Sequence, residues 1–324
     1  MGSLILKLFN APRRIEDIGM GKYMARVLKH FGVAPDTRFM FVKMAKSLLN
    51  PVIFFRSKFI REFTAGKPKD LSISHETHVL HVPADNIVGL SELIESVNKF
   101  YHDRRNEIQK SSEGTYAYLI NVLRSNDDTL DAKERALLAQ ILRFAAQPTL
   151  MGLASEYIGM VPVFHGYSLT RTDIVPKDQE FQGSQLFHRD VGEKKLLHLL
   201  VSITKVGQGD GPFTYIDAVA SDKVMKKLGH QAGRVSDEIV LNELKQDQIH
   251  KVLGEPGHVV FINPEKCFHY GARNTTGSRI QLIITYAPPN EAIEGGTCLY
   301  LPKYKKEIDL CDLSVPEKRL LKLY

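Results

Sequence analysis

The sequence is poor in cysteine and has no long uninterrupted apolar run. Only 3 of its 324 residues are cysteine, an odd number without paired spacing. The cysteines are Cys267, Cys298 and Cys311. This argues against a disulfide framework and predicts a reducing, cytoplasmic setting. The most apolar stretch, residues 39–55, is interrupted by Lys43, Lys46 and Pro51, so it does not supply the about 20 apolar residues that a membrane span needs.

Other signals that would assign the chain to a different class are also missing. The apolar residues 4–6 are broken by Lys7 and no small-residue cleavage site follows, so no secretory signal is expected. There is no internal repeat and no low-complexity tract. No recognised nucleic-acid-binding motif is present, so nucleic acid is not an expected partner.

Positive charge is concentrated at the start of the chain. Residues 1–68 hold 13 Lys and Arg against 4 Asp and Glu, and the remainder holds 30 against 33. Residues 13–30 have the pattern of a basic amphipathic helix, which could cover the core with a solvated face or lie on an anionic membrane or an acidic partner. We therefore predict a basic, mostly helical N-terminal extension over 1–70, a main domain over 71–290 and a C-terminal tail over 291–324.

The most informative motif is His188-x-Asp190. If this segment is extended, residues two apart point to the same side, so both side chains can reach one metal ion while Arg189 points away. Two imidazoles and one carboxylate on one side of an ion are typical of non-haem Fe(II) oxygenases. The motif therefore predicts a metal site that needs one further histidine.

His269 and Arg279 complete the pattern. His269 follows the apolar, strand-like run 257–263 and precedes the turn-rich stretch 271–277. Arg279 begins the next apolar run, so an antiparallel return brings its guanidinium back towards His269. Such a fork of donors suits the carboxylate of an anionic cosubstrate bound at the metal.

Together these residues resemble the Fe(II)- and 2-oxoglutarate-dependent oxygenases, and among them the phytanoyl-CoA dioxygenase family. The resemblance covers roughly residues 160–290. It rests on His188-x-Asp190, His269 and Arg279, with the segments GEPGHVVFIN (254–263), HYGARN (269–274) and GDGPFTY (209–215). His258 stands where the family usually has an acidic residue, and Gly271 where a Ser or Thr often contacts 2-oxoglutarate.

The resemblance implies a mainly β fold with flanking helices, whose core from about residue 160 is a double-stranded β-helix, also called a jelly roll or cupin-like fold. It implies that His188, Asp190 and His269 bind Fe(II) and that Arg279 pairs with the far carboxylate of 2-oxoglutarate. The implied reaction hydroxylates a small-molecule or carrier-linked substrate and releases succinate and CO2. Two alternatives stay open: a ligand-binding jelly roll without catalysis, and a metal-dependent dioxygenase that does not use 2-oxoglutarate.

The rest of the chain predicts the supporting elements. Apolar periodicity predicts a strand over 71–81, helices over 91–101 and 131–144, and a helical excursion within 223–251. Further strands are predicted over 161–170, 196–204 and 213–216. His75, His78 and His81 are not expected to form a metal site, because on a strand His78 faces away from the other two. Candidate contacts for an anionic substrate are Arg171, Arg273, Lys177 and Lys194, although ordinary surface charge is the stronger interpretation.

Overall fold

The computed structural model describes residues 68–110, 116–120, 130–190, 195–229 and 233–288, together with Thr37. Nearly all of the predicted N-terminal extension, and the whole predicted tail over 291–324, lie outside these residues. Within the described residues, no helix is long and apolar enough to cross a membrane.

Five helices and nine strands are formed within residues 68–288. The helices are α1 (Leu90–Lys110), α2 (Ala132–Ala146), α3 (Pro148–Ile158), α4 (Ala218–Lys227) and α5 (Asp237–Glu243). The strands are β1 (Val79–Val82), β2 (Tyr116–Tyr118), β3 (Val163–Thr172), β4 (Leu197–Ser202), β5 (Thr214–Tyr215), β6 (His250–Lys251), β7 (Val259–Ile262), β8 (His269–Tyr270) and β9 (Arg279–Ala287).

Local sequence explains where the helices begin and end. The Asp131 side chain accepts hydrogen bonds from the backbone of Lys133 and Glu134, and the Glu134 side chain accepts one from the backbone N–H of Asp131, so α2 starts with a capping box. Helix α3 was not predicted, although Pro148 at its first turn and Gly159 in the left-handed region at its end are its ordinary boundary signals.

The strands form two antiparallel sheets. The large sheet has the order β1-β7-β4-β9-β3-β2, and the small sheet has the order β6-β5-β8. From β4 onward the chain visits the large sheet, then the small sheet twice, then the large, the small and the large again. This winding between two sheets is that of a double-stranded β-helix, so the expectation of a mainly β jelly roll with flanking helices is confirmed.

Alternation along the strands separates two apolar layers. In β9, Ile280, Leu282, Ile284 and Tyr286 pack in the cluster that α1, α2 and α3 form on the outer face of the large sheet. Residues of the opposite parity face the space between the sheets, where Leu200, Phe213, Tyr215, Val260 and Ile262 form a second cluster. The polar side chains of β9 (Arg279, Gln281 and Thr285) have this inward parity.

A third cluster covers the outside of the small sheet. It joins Val224 of α4 and Val240 of α5 to Phe187 and Phe268, the residues that precede His188 and His269. Helix α5 lies within the segment 223–251 in which a helical excursion was predicted, and α4 overlaps the start of that segment. The backbone that presents the two histidines is therefore held from behind by a small apolar core.

The first predicted strand is shorter than expected. Residues 71–78 belong to no strand, and only Val79–Val82 joins the large sheet beside β7. The Ser74 hydroxyl accepts hydrogen bonds from the backbone of Glu76 and Thr77, and His78 has a φ of 59°. A local side-chain turn thus replaces the sheet pairing over these residues.

Candidate metal centre

His188 and His269 are brought together by backbone pairing. The two residues form an antiparallel bridge in which His188 N donates to His269 O at 3.0 Å and His269 N donates to His188 O at 2.9 Å. Asp190 N donates to Pro264 O at 2.9 Å, which holds the carboxylate beside the same segment. The structure therefore has a β-bridge at His188 in place of the expected strand, but the side chains of His188 and Asp190 still point to the same side.

The three donor groups converge on one point. Their ligand atoms all lie within 4.8 Å of one another. Asp190 Oδ1 is 3.7 Å from His188 Nε2 and 3.8 Å from His269 Nε2. Donors about 2.1 Å from one ion at right angles are about 3 Å apart, so each of these two Asp190–His distances would need to shorten by under about 1 Å around a shared ion.

The Nδ1 atom of each imidazole is occupied, which directs its Nε2 atom to the centre. His188 Nδ1 donates to Leu186 O at 2.8 Å, and His269 Nδ1 donates to Cys267 O at 3.0 Å. In each case the acceptor is the carbonyl two residues earlier in the chain. A neutral ring that carries its proton on Nδ1 has its lone pair on Nε2, so both rings present a ligand atom towards Asp190.

Arg189 points away from this centre, as the alternation requires. Its Nε donates to Glu265 O, and its Nη1 lies 3.3 Å from Asp222 Oδ1. The positive charge of Arg189 is therefore paired with Asp222, outside the group of proposed ligands.

The electrostatics favour the protonation states that bind a cation. Burial lowers the pKa of His269 to about 4 against the opposing effect of Asp190, so this imidazole is neutral at pH 7. For Asp190, burial alone would raise the carboxyl pKa, but the hydrogen bond from His198 and the neighbouring histidines lower it well below its usual range. The centre thus combines an anionic oxygen with a neutral imidazole nitrogen.

Two residues that sequence reasoning missed also belong to the centre. His198 on β4 lies with Nε2 3.1 Å from Asp190 Oδ2, and with Nδ1 3.0 Å from the Thr285 hydroxyl on β9. The only sequence signal was a polar residue inside the otherwise apolar run 196–201. Thr285 is distant in sequence, and the pairing of β4 with β9 brings it beside His198.

Arg279 is buried, with 4% of its surface exposed, at the start of β9. Its Nε donates to Gly211 O at 2.6 Å and its Nη1 donates to Gln281 Oε1. These partners are neutral, and no carboxylate among the described residues forms an ion pair with it. Burial lowers the pKa of Arg279 to about 10, so the guanidinium keeps its charge at pH 7. Its partners orient this buried charge without neutralising it.

The Arg279 guanidinium lies close to the backbone that follows His269. A Cβ atom placed on Gly271 would be 3.0 Å from Arg279 Nη2. The Cα atoms of Gly271 and His269, two residues apart, are separated by at most about 7 Å. The guanidinium therefore lies beside the short segment that carries His269.

The turn that holds Arg279 requires a glycine. Gly211 has a φ of 65°, and a Cβ atom there would lie 2.1 Å from Asn274 Oδ1. Asn274 in turn donates to Asp210 O at 2.8 Å and Gly277 O at 2.9 Å. Segment 209–215, which carried part of the sequence resemblance, thus supplies the carbonyl that orients Arg279.

Two of the four candidate substrate contacts have acidic partners, and Lys194 lies outside the described residues. Arg171 pairs with Asp173, and Arg273 pairs with Asp237, so neither is an uncompensated cation for an anionic substrate. The three histidines His75, His78 and His81 also diverge. His78 Nδ1 lies 2.6 Å from the Tyr157 hydroxyl, and His81 contacts His258 and Tyr215.

Comparison with known proteins finds similarity only among solved structures. No family model and no curated protein matches the sequence. HygX from Streptomyces hygroscopicus, with nickel and 2-oxoglutarate bound, is 15% identical over 66% of this chain and 83% of its own, with a TM-score of 0.40. EctD from S. alaskensis, with 2-oxoglutarate and 5-hydroxyectoine, is 14% identical over 69% and 80%, with a TM-score of 0.46. SnoK, a non-heme alpha ketoglutarate dependent carbocyclase from nogalamycin biosynthesis, is 14% identical over 69% and 87%, with a TM-score of 0.42. At such identities and TM-scores, any assignment of chemistry depends on the residues of this chain itself.

Proposed function

We propose that this protein is an Fe(II)- and 2-oxoglutarate-dependent oxygenase of the phytanoyl-CoA dioxygenase type. It hydroxylates a small or carrier-linked organic substrate and releases succinate and CO2. One observation supports this most strongly. Two imidazole nitrogens and one carboxylate oxygen converge, and a buried arginine that has no acidic partner among the described residues lies beside Gly271, two residues after His269.

The donor set suits iron. His188, Asp190 and His269 would hold the ion, because two histidines and one carboxylate on one side are the ligands of non-haem Fe(II) oxygenases and leave coordination positions open. A structural zinc site would instead be closed by a fourth protein ligand. The cluster of potential ligands among the described residues contains only these three.

The buried charge of Arg279 suits a dicarboxylate. An unpaired charge away from water is costly, so a bound carboxylate there would recover an ion pair in a site already oriented by Gly211 and Gln281. 2-Oxoglutarate carries a second carboxylate and a keto group that can reach a metal while the first carboxylate meets Arg279. A dioxygenase that needs no 2-oxoglutarate, and a binding module without catalysis, have no comparable use for this arginine.

The remaining side chains hold the ligands and keep water away. The Phe213 ring stacks on His269 at a centroid distance of 5.4 Å and lies in the apolar cluster between the sheets. When bound, Fe(II) and 2-oxoglutarate would supply the oxidising chemistry for attack on a substrate C–H bond. The protein's part is to fix the ligand directions, shield one side of the centre and leave the other side for substrate.

The experiment is to load the purified protein with Fe(II) and 2-oxoglutarate without oxygen, expose it to air, and measure succinate while candidate substrates are screened. Succinate formation that rises with one compound supports the proposal. Metal-dependent oxidation without any need for 2-oxoglutarate would favour the second dioxygenase class. Tight ligand binding without turnover would favour a binding module.

The product also discriminates within iron chemistry. Asp190 would hold one coordination position of the ion with an anionic oxygen, which would disfavour a second anion such as chloride beside it. Mass spectrometry of the reaction in chloride buffer should show a gain of oxygen in the product. A chlorinated product would contradict the assigned role of Asp190.

A further inference from the structure

We infer that His198, oriented by Thr285, is a positioning residue that determines which oxygen of Asp190 faces the metal. This inference rests on the proposed metal site. It adds a residue of the large sheet to a centre whose proposed ligands come from the other side of the barrel.

His198 is held at both ends of its ring. It lies on β4, where it pairs with Thr285 of β9 and Ile262 of β7. Its Nδ1 atom is 3.0 Å from Thr285 Oγ1 and its Nε2 atom is 3.1 Å from Asp190 Oδ2. The side chain is 15% exposed. Its ring is therefore confined between a sheet neighbour and the carboxylate.

The chemistry of the partners determines the direction of the hydrogen bond. An ionised carboxylate can only accept, so the nitrogen that faces Asp190 Oδ2 must carry the proton. This holds whether the ring is neutral or charged, because Nε2 bears hydrogen in both forms. In the neutral form Nδ1 accepts from the Thr285 hydroxyl, which stabilises the Nε2–H tautomer.

The hydrogen bond distinguishes the two oxygens of Asp190. Oδ2 is engaged by His198, whereas Oδ1 is the oxygen that lies 3.7 and 3.8 Å from the Nε2 atoms of His188 and His269. A carboxylate held this way offers one oxygen to the ion and is hindered from turning to offer both. His198 thus preserves an open coordination position that a bidentate carboxylate would occupy.

Two pairs of variants isolate this role. His198→Leu removes the donor, whereas His198→Gln places an amide N–H near the position of Nε2. Thr285→Val removes the hydroxyl with little change of volume, and Thr285→Ser keeps it. His258→Leu is the matched control, because His258 is also a partly buried histidine with hydrogen bonds, to Leu253 O and His81, but with none to a proposed ligand.

Anaerobic titration with Co(II), followed by its visible absorption spectrum, reads the metal site without turnover. We expect His198→Leu to weaken Co(II) binding about 10- to 100-fold, the usual loss when a hydrogen-bond partner of a ligand is removed, and to change the spectrum. Thr285→Val should change both in the same direction but less. His198→Gln and Thr285→Ser should recover most of the affinity, and His258→Leu should bind Co(II) like the unchanged protein.

The outcomes separate this inference from the proposed function. If the unchanged protein binds no Co(II) or Fe(II), the metal site and the inference both fail. If it binds Co(II), and folded His198→Leu has the same affinity and spectrum, the metal site stands and the positioning role is wrong. An equal loss in His258→Leu would also overturn it, since the effect would then follow from removing any partly buried histidine.

Discussion

The two sheets of the barrel differ in how they are held together. In the large sheet, β3 has 10 residues and β9 has 9, and three helices cover the outer face. The strands of the small sheet have 2 residues each, yet this side contributes His269 on β8 and the bridge to His188. Long paired strands supply stability, whereas the short ones set side-chain direction through individual hydrogen bonds.

The difference suggests a division of labour that can be tested. Ligands on the small-sheet side are directed by bonds from Nδ1 to nearby carbonyls, so they need little regular strand. The large sheet contributes His198, Thr285 and Arg279, whose positions follow from its register. Substitutions of the proposed ligands on the small-sheet side should therefore alter metal binding. Substitutions in the apolar core of the large sheet should alter the free energy of unfolding.

The largest effect is expected from Asp190→Ala. Loss of the only anionic ligand should weaken Fe(II) binding by at least about 100-fold, more than removal of an outer hydrogen-bond partner usually does, and turnover should stop. Asp190→Glu keeps the charge but displaces the oxygen by one methylene, so it should also be severely impaired. Anaerobic metal titration measures both. Full metal affinity in a folded Asp190→Ala protein would remove Asp190 from the site.

Next in size is the effect of Arg279→Leu. Hydrogen bonds to a charged group contribute about 1.5–3 kcal/mol, so the KM for 2-oxoglutarate should rise roughly 10- to 150-fold. The KM for the prime substrate should change far less, and the affinity for Fe(II) should stay the same. Steady-state kinetics with each substrate varied in turn gives the answer. Equal increases in both KM values would contradict the assignment.

A substitution in the core of the large sheet should lower stability without weakening metal binding. Leu282→Ala, in the fully buried layer between β9 and the helices, should lower the free energy of unfolding by about 2–5 kcal/mol. Leu241→Ala is the matched control, because Leu241 is 48% exposed and its removal should cost under about 0.5 kcal/mol. Urea unfolding measures both, and metal affinity below the unfolding transition should be unchanged in each. Weaker metal binding by folded Leu282→Ala would contradict the separation of metal binding and stability between the two sheets.

The last predicted effect concerns pH, and it is gradual because it comes from the titration of one residue. The pKa of His269 falls from 6.5 to about 4 on folding, so between these values the unfolded chain binds a proton that the folded protein does not. Stability of the chelator-treated protein should therefore rise with pH across this window, by up to about 3 kcal/mol from this residue, and level off above it. His269→Gln should have a shallower pH profile of unfolding. Superimposable profiles would show that His269 does not titrate in this way.

Sequence spacing predicted the groups that converge, because the separation of His188 and Asp190 by two positions needs only local alternation. It also predicted that Arg279 would return towards His269, because a turn-rich stretch separates them. Neither inference required knowledge of which strands are neighbours. Whether these residues bind iron and 2-oxoglutarate remains a prediction.

The contacts that sequence could not supply depend on register across the sheet. His198 and Thr285 are 87 positions apart, and their contact exists only because β4 and β9 pair in one alignment. The prediction of a strand over 71–81 was too long for another reason. Alternation over 71–81 is real, but the Ser74 hydroxyl competes for the backbone and its effect cannot be read from periodicity.

Strand β9 carries both Arg279 and Thr285, six positions apart and on the same face. A single inserted residue between them would turn one of the two towards the helices, and a pair of inserted residues would move them about 7 Å further apart. After either change, β9 could no longer place Arg279 at the proposed cosubstrate and Thr285 beside His198 at the same time. Insertions that adapt such a barrel to new substrates are therefore expected in its connecting loops, while the length of β9 stays fixed.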